Sequence, residues 1–170
     1  MDNKNNKHQL RKWAKEERKK HCCDSVLIEK LRKTKEYKSA KHIMLFYPMK
    51  DEINLLPLLE DETKKFYLPK VDKENLLCCP YCTGDELCVS CFNTQEPTST
   101  PVNTELIDLV IVPALAVDKN NFRLGYGGGF YDRFLRGKKV VKIVCIPKGL
   151  VVDSINPDEY DIPVDIVVTD

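Results

Sequence analysis

Short, nearly continuous apolar runs recur along this chain between polar and amphipathic stretches. Ile43-Met-Leu-Phe-Tyr47, Lys65-Phe-Tyr-Leu-Pro69, Leu106 to Val112, Val140 to Ile146 and Asp165-Ile-Val-Val168 are too short for helices and too apolar for one-sided strands. They predict strands buried on both faces. Leu76 to Cys82 predicts another strand, which Pro80 assigns to an edge or a bulge. Residues 7–33 place apolar side chains at helical spacing, first at Leu10, Trp13 and Ala14, then at Val26, Leu27 and Leu31. A break is expected near Cys22–Ser25, where Asp24 and Ser25 suit a helix N-cap. Leu55 to Lys64 predicts a further helix, and residues 93–104 (NTQEPTSTPVNT) a polar loop. Doubly buried strands alternating with helices imply an α/β fold, a mostly parallel central sheet covered on both faces. Ligands bind such sheets beyond the C-terminal ends of the strands. The loops after Tyr47 and Val112 and a glycine-rich loop at residues 125–129 are expected to open there.

The length of 170 residues is enough for one domain, 1–170, with a real core. No apolar run approaches the roughly 20 residues of a membrane span. The opening MDNKNNKHQLRKW has no apolar signal-peptide core. A cytoplasmic protein with no membrane partner is the expectation. The formal net charge of +1 conceals an asymmetry: residues 1–42 carry 14 Lys and Arg against 6 Asp and Glu, and the remainder 13 against 20. The basic start is either a solvated helix face or a source of phosphate ligands. It contains no recognisable nucleic-acid-binding module, so a nucleic-acid partner is not expected. Lys7 and Arg11 are four apart and project from one helix face.

Of the eight cysteines, Cys79/Cys82 and Cys88/Cys91 form two CxxC pairs, a pattern that often marks zinc. Only five residues separate the pairs, against roughly 15–20 in the usual zinc ribbon. They also fall on a predicted strand and turn, where cysteine serves as a small apolar filler. Core filling is the preferred reading, and a zinc-ribbon interaction protein the remote one.

Four of the seven glycines lie within Gly125 to Gly129, in RLGYGGGFYDRFL, between an apolar strand and a predicted helix start. Without Cβ atoms such a loop approaches a phosphate closely and offers it several N–H groups. Arg123 and Arg133 bracket it with positive charge, and Asp132 is placed to hold a metal ion that accompanies phosphates. The segment matches neither GxGxxG, which needs glycine at Phe130, nor the Walker loop, since Gly137-Lys138 is followed by Lys139. A flexible hairpin or helix-capping turn remains the bland alternative.

Read together, these segments resemble the 5-formyltetrahydrofolate cyclo-ligase (methenyltetrahydrofolate synthetase) family. RLGYGGGFYDRFL (Arg123 to Leu135) carries the resemblance, flanked by DLVIVPALAVD (Asp108 to Asp118) and YDIPVDIVVTD (Tyr160 to Asp170). Weaker matches are KHQLRK at Lys7, YPMKDEI at Tyr47, YLPKV at Tyr67 and QEP at Gln95. The resemblance implies a three-layer sandwich, Rossmann-like and of the NagB/RpiA/CoA-transferase-like kind. It implies ATP-dependent closure of 5-formyltetrahydrofolate to 5,10-methenyltetrahydrofolate with release of ADP and phosphate, through a phosphorylated formyl group. ATP as co-substrate, Mg²⁺ and a monomer go with it. Carried over by position, Lys7, Arg11, Arg123, Leu124, Gly125, Tyr126, Gly127, Gly128, Gly129, Phe130 and Tyr131 contact ATP. Tyr47, Met49, Glu52 and Tyr131 contact the folate, Asp132 and Asp165 hold the metal, and Tyr131, Asp132 and Arg123 serve catalysis. The chain departs from the pattern at Gly128, often lysine, and at Phe130, often tyrosine. A nucleotide- or folate-binding protein of the same fold without turnover is the alternative.

Overall fold

The computed structural model describes residues 3–90 and 92–170, with side chains from residue 6 onward except residue 91. Three helices open the chain: α1 (Asn3–Arg18), α2 (Asp24–Lys33) and α3 (Lys35–Ser39). The strands follow as β1 (His42–Met44), β2 (Lys65–Asp72), β3 (Asn75–Pro80), β4 (Leu87–Val89), β5 (Gln95–Pro97), β6 (Leu109–Ile111), β7 (Ala116–Asp118), β8 (Arg123–Leu124), β9 (Val141–Cys145), β10 (Val151–Val152) and β11 (Ile166–Val168). Helix α4 (Phe130–Leu135) lies between β8 and β9.

The central sheet has the order β11-β9-β6-β1-β2-β3. All its neighbours are parallel except β2 and β3, which pair antiparallel with Leu68 opposite Cys79. β3 is therefore an edge strand, where Pro80 is tolerated. Alternate strand residues serve two cores. Ile43, Leu109, Ile111 and Ile143 pack with Leu27, Ile28 and Leu31 of α2 and Tyr37 of α3. Met44, Val110 and Val144 pack with Ala14 of α1 and with Phe134 and Leu135 of α4. Successive side chains point to opposite faces, so burial on both faces demands an unbroken apolar run. Each such leucine or isoleucine contributes about 1.5–3 kcal/mol. The result is the three-layer, mostly parallel arrangement.

From β1 the chain passes to β2 on one side; from β6 it passes to β9 on the other. The sheet's topological switch point thus lies between β1 and β6, where a crevice opens at their C-terminal ends.

The structure departs from the sequence pattern in four places. The helix expected over Leu55–Lys64 is a 3-10 turn, Leu56–Glu60. Asp61 ends it by accepting both the Thr63 N–H and hydroxyl, an Asx turn that competes with helix propagation. The polar stretch 93–104 contains β5, paired with β4 through Cys88 and Glu96. Three residues ending in proline carry no readable alternation. Strands β7, β8 and β10 form a small separate sheet, again too short for periodicity. At α2, Asp24 sits in the first turn rather than at the cap position, which Cys23 occupies. The acid still complements the helix dipole there.

Candidate active site

The β7–β8 hairpin is where the site begins. Buried Asp118 accepts the N–H groups of Asn120 (2.9 Å) and Phe122 (3.0 Å) through Oδ1 and that of Ile155 (3.2 Å) through Oδ2. This fixes the turn that delivers Arg123. The glycine-rich loop follows at once, and Gly127 and Gly129 adopt φ of 107° and 66°, values that L side chains resist. Arg11 Nε donates to the Gly125 carbonyl (2.9 Å) from one side and Arg133 Nη1 to the Gly128 carbonyl (2.9 Å) from the other. Both arginines therefore engage loop carbonyls. Among the described residues, the backbone N–H groups of Tyr126, Gly127, Gly128 and Gly129 make no protein hydrogen bond.

A cleft of ≈ 950 Å³ lies against this loop. It brings together nearly every residue proposed from sequence: Lys7, Arg11, Tyr47, Met49, Glu52, Arg123 to Asp132. Phe46, Tyr47 and Pro113 line it from the ends of β1 and β6, so it occupies the switch-point crevice. Apolar surface comes from Phe46, Pro69, Val71, Leu76, Phe92 and Phe130, positive charge from Lys7, Arg11, Arg123, Arg133 and Arg136, and negative charge from Glu52, Asp132, Asp158 and Asp161. Helix α4 is only six residues long. Guanidinium groups, rather than a long run of aligned peptides, are the cationic groups placed along the loop.

Three buried donors in the cleft are unspent. Arg123 Nε and Nη2 and the Tyr131 hydroxyl have no hydrogen-bond partner. Arg123 Nη2 does lie 3.0 Å from Asp132 Oδ1, close enough for an ion pair but without hydrogen-bond alignment. Coulomb attraction needs no alignment, so the two groups still form an ion pair. Burial, with Glu52 nearby, pushes the Tyr131 phenol well above its ordinary value, so it is a proton donor at neutral pH. Buried donors are rarely left unpaired in a resting fold, and such groups mark where a ligand supplies the acceptor.

At the far side of the loop, Glu52 Oε1 accepts from the Tyr126 hydroxyl (2.5 Å) and Oε2 from the Met49 N–H (2.7 Å). Burial first, then the Glu52 charge, raises the Tyr126 phenol above its ordinary value. Arg18 Nη1 donates to the same hydroxyl at 2.6 Å. Lys7 is clasped: its ammonium lies 2.9 Å from Asp158 Oδ2 and 2.5 Å from Asp161 Oδ2. Sequence reasoning missed Arg18, Asp158 and Asp161. Arg18 could have been found, because Lys7, Arg11, Ala14 and Arg18 form one stripe of α1 at spacings of four, three and four. Asp158 and Asp161 had no local pattern to betray them.

Asp165 is the residue the structure does not bring to the cleft. It precedes β11, at the N-terminal end of the parallel strands. Its carboxylate accepts the Lys142 N–H (2.7 Å) and pairs with the Lys142 ammonium (2.9 Å). Strand direction puts it opposite the end over which Tyr47 and Pro113 open. Asp132 and Asp165 therefore do not converge as a pair of metal ligands. Asp132 Oδ1 is also engaged, by Arg123 and by the Ile162 N–H (3.1 Å). Among the described residues, no group of three or more His, Cys, Asp or Glu side chains is arranged to hold a metal ion. Cys78 and Cys79 are buried in β3, with burial pushing the Cys78 thiol up to about 12, while Cys82 and Cys88 are exposed. Cys91 lies outside the described residues.

The sequence model of the 5-formyltetrahydrofolate cyclo-ligase family matches residues 3–170. The 5-formyltetrahydrofolate cyclo-ligase of Haemophilus influenzae is 31% identical over 78% of this chain and 78% of its own length. The mouse (Mus musculus) protein of the same name is 27% identical over 95% of this chain and 88% of its own. The solved structure of Aquifex aeolicus 5,10-methenyltetrahydrofolate synthetase superposes with a TM-score of 0.84 at 32% identity, covering 96% of this chain and 89% of that one.

Proposed function

The chain belongs to the 5-formyltetrahydrofolate cyclo-ligase family, and we propose that the cleft described above is where it performs that family's reaction. The protein is an ATP-dependent cyclo-ligase that converts 5-formyltetrahydrofolate to 5,10-methenyltetrahydrofolate. The observation that carries the site assignment is the set of unspent donors converging on one cleft: four loop N–H groups, Arg123 and the Tyr131 hydroxyl.

The chemistry explains why those donors are needed. A formamide oxygen leaves poorly. Transfer of the γ-phosphoryl group to it makes it a phosphate leaving group and leaves the carbon electrophilic. The second folate nitrogen then attacks that carbon, gives up its proton, and inorganic phosphate departs with the former formyl oxygen. ADP is the other product. Positioning and neutralisation of phosphoryl charge are what the protein must supply. The loop N–H groups, Arg123, Arg11 and Arg133 serve the phosphates, with Leu124 to Phe130 forming the nucleotide wall. Tyr131, protonated and between the two ends, donates to the oxygen that gains charge. Lys7 reaches the phosphates only by leaving its clasp or by sharing it.

Tyr47, Met49 and Glu52 form the folate end. Each Glu52 oxygen has already accepted one hydrogen bond. A carboxylate oxygen accepts about two, so one site remains on each. That pair suits two adjacent N–H groups on a planar heterocycle. Magnesium, when bound, would neutralise polyphosphate charge, and its protein ligation is confined on our reading to Asp132. No helix among the described residues is long and apolar enough to cross a membrane. The reading as a cytoplasmic monomer rests on the family resemblance.

The test is direct. Purified protein with 5-formyltetrahydrofolate, ATP and Mg²⁺ forms the methenyl product, followed by its absorbance, and forms none without ATP. Absence of product together with measurable ATP or folate binding would favour the non-catalytic reading. Substrate carrying ¹⁸O in the formyl group transfers the label to inorganic phosphate if the oxygen is phosphorylated. Label recovered in water would exclude that intermediate.

A further inference from the structure

Arg18 stands behind the cleft rather than in it. It is absent from the lining of the large cleft and instead borders a smaller adjoining cavity of ≈ 150 Å³. Its side chain is 10% exposed and that of Glu52 is 5% exposed. The two are joined through one oxygen. Arg18 Nη1 donates to the Tyr126 hydroxyl at 2.6 Å, and that hydroxyl donates to Glu52 Oε1 at 2.5 Å. The direct Nη1–Oε1 separation is 3.9 Å, so the phenol oxygen is the bridge and not a bystander. The guanidinium also lies 5.6 Å from the centre of the Tyr126 ring, within cation–π range. Its other contacts are poor. Nη2 reaches the Lys50 carbonyl at 3.4 Å and Nε has no partner. An arginine placed only to stabilise the fold would be expected to spend these donors. This one is committed to Tyr126.

We propose that Arg18 is a positioning residue for the folate, holding Glu52 in its binding orientation through the hydroxyl of Tyr126. The inference rests on the reading that Glu52 meets the folate. Fixed between Tyr126 and the Met49 N–H, the carboxylate cannot swing, and its two remaining acceptor sites stay aimed into the cleft. Pre-organisation of this kind lowers the cost of binding without any contact from Arg18 to substrate. It also makes α1 serve both substrates from one stripe, Lys7 and Arg11 toward the nucleotide and Arg18 toward the folate.

Steady-state kinetics with each substrate varied in turn test it, using Arg18→Ala, Arg18→Lys, Tyr126→Phe and Glu52→Gln. Arg18→Ala should raise KM for 5-formyltetrahydrofolate by about tenfold or more, the scale of a lost charged hydrogen bond. KM for ATP should move by less than about threefold, a split that general destabilisation would not produce. Arg18→Lys should recover part of the loss by keeping a cationic donor beside Tyr126. Tyr126→Phe, which removes only the bridging oxygen and leaves the ring and backbone of the nucleotide wall in place, should reproduce the folate KM rise of Arg18→Ala and keeps the test open if that variant folds poorly. Equal losses for both substrates, or no recovery with lysine, would mean a structural role and overturn the proposal. If Glu52→Gln raises the folate KM while Arg18→Ala and Tyr126→Phe do not, this inference alone fails. If Glu52→Gln leaves the folate KM unchanged, the underlying reading of Glu52 fails and takes this one with it.

Discussion

The Arg123 guanidinium lies 3.0 Å from the Asp132 carboxylate, and the pair ties together the two ends of the glycine-rich loop. The Arg123 side chain is only 4% exposed, and Asp132 supplies the counter-charge beside it. Asp132→Asn keeps the shape and an acceptor for the Ile162 N–H but removes the counter-charge. We expect a stability loss of about 1–3 kcal/mol. The fall in kcat/KM for ATP should be larger, on the order of a hundredfold, as for loss of a group that organises transition-state charge. Thermal melts and initial rates check both. A variant that melts early yet turns over normally would confine Asp132 to a structural role.

Tyr131→Phe should separate function from folding. The hydroxyl is buried without a partner, so its removal should leave stability unchanged or raise it by up to about 1–3 kcal/mol. Turnover should nevertheless drop by about a hundredfold, the cost of losing one well-placed donor. Full activity in the phenylalanine variant would refute the donor role.

Two glycines of the loop should respond differently to alanine. A Cβ on Gly125 would sit 2.8 Å from Arg123 Nη1, a flexible side-chain end. Gly127 has φ of 107° and its Cβ would meet nothing closer than 3.6 Å. Gly125→Ala should therefore shift the Arg123 guanidinium and weaken ATP binding more than it lowers the melting temperature. Gly127→Ala should strain the backbone and lower stability by about 1–2 kcal/mol. Nucleotide titration by calorimetry beside thermal melts distinguishes them, and identical behaviour would contradict the geometry.

The Lys7 clasp predicts a pH window. The Lys7 hydrogen bond, chiefly, holds the Asp158 carboxyl below its ordinary value of 3.8. Burial alone would lower the Lys7 ammonium, but the bonds to Asp161 and Asp158 outweigh it and leave Lys7 above 10.5. A depressed acid contributes stability above its ordinary pKa and loses it as pH falls through the depressed value. A raised base contributes below its ordinary pKa and loses it as pH rises through the raised value. The difference in melting temperature between wild type and Lys7→Met should be constant at neutral pH and shrink below 3.8 and above 10.5. Asp158 is about half exposed, so solvent screening keeps its share small. A difference independent of pH would show that the clasp contributes by packing alone.

Local chemistry was legible in the chain, and tertiary pairing was not. The glycine cluster with its flanking Arg123 and Arg133 declares itself by composition and position, whereas Lys7, Arg11, Glu52 and Tyr131 take their expected roles from the family resemblance. The buried strands were legible because double-sided burial leaves unbroken apolar runs. Strands β7, β8 and β10 were not, since two or three residues cannot display a period of two. Asp158 and Asp161 meet Lys7 across nearly the whole sequence, a pairing no window along the chain contains. Asp165 shows the converse: family likeness placed it beside Asp132, but the direction of β11 carries it to the other end of the sheet.

The bond between Lys7 and Asp161 spans 154 residues. Closing so long a loop is among the slowest demands on a folding chain. During synthesis α1 emerges well before residue 161, so Lys7 has nothing to clasp until that segment leaves the ribosome. The nascent protein therefore carries Lys7 without its two carboxylate partners for most of its translation. Its binding cleft is among the last things to be completed, so a chain interrupted before residue 158 would hold most of its sheet and lack a finished site.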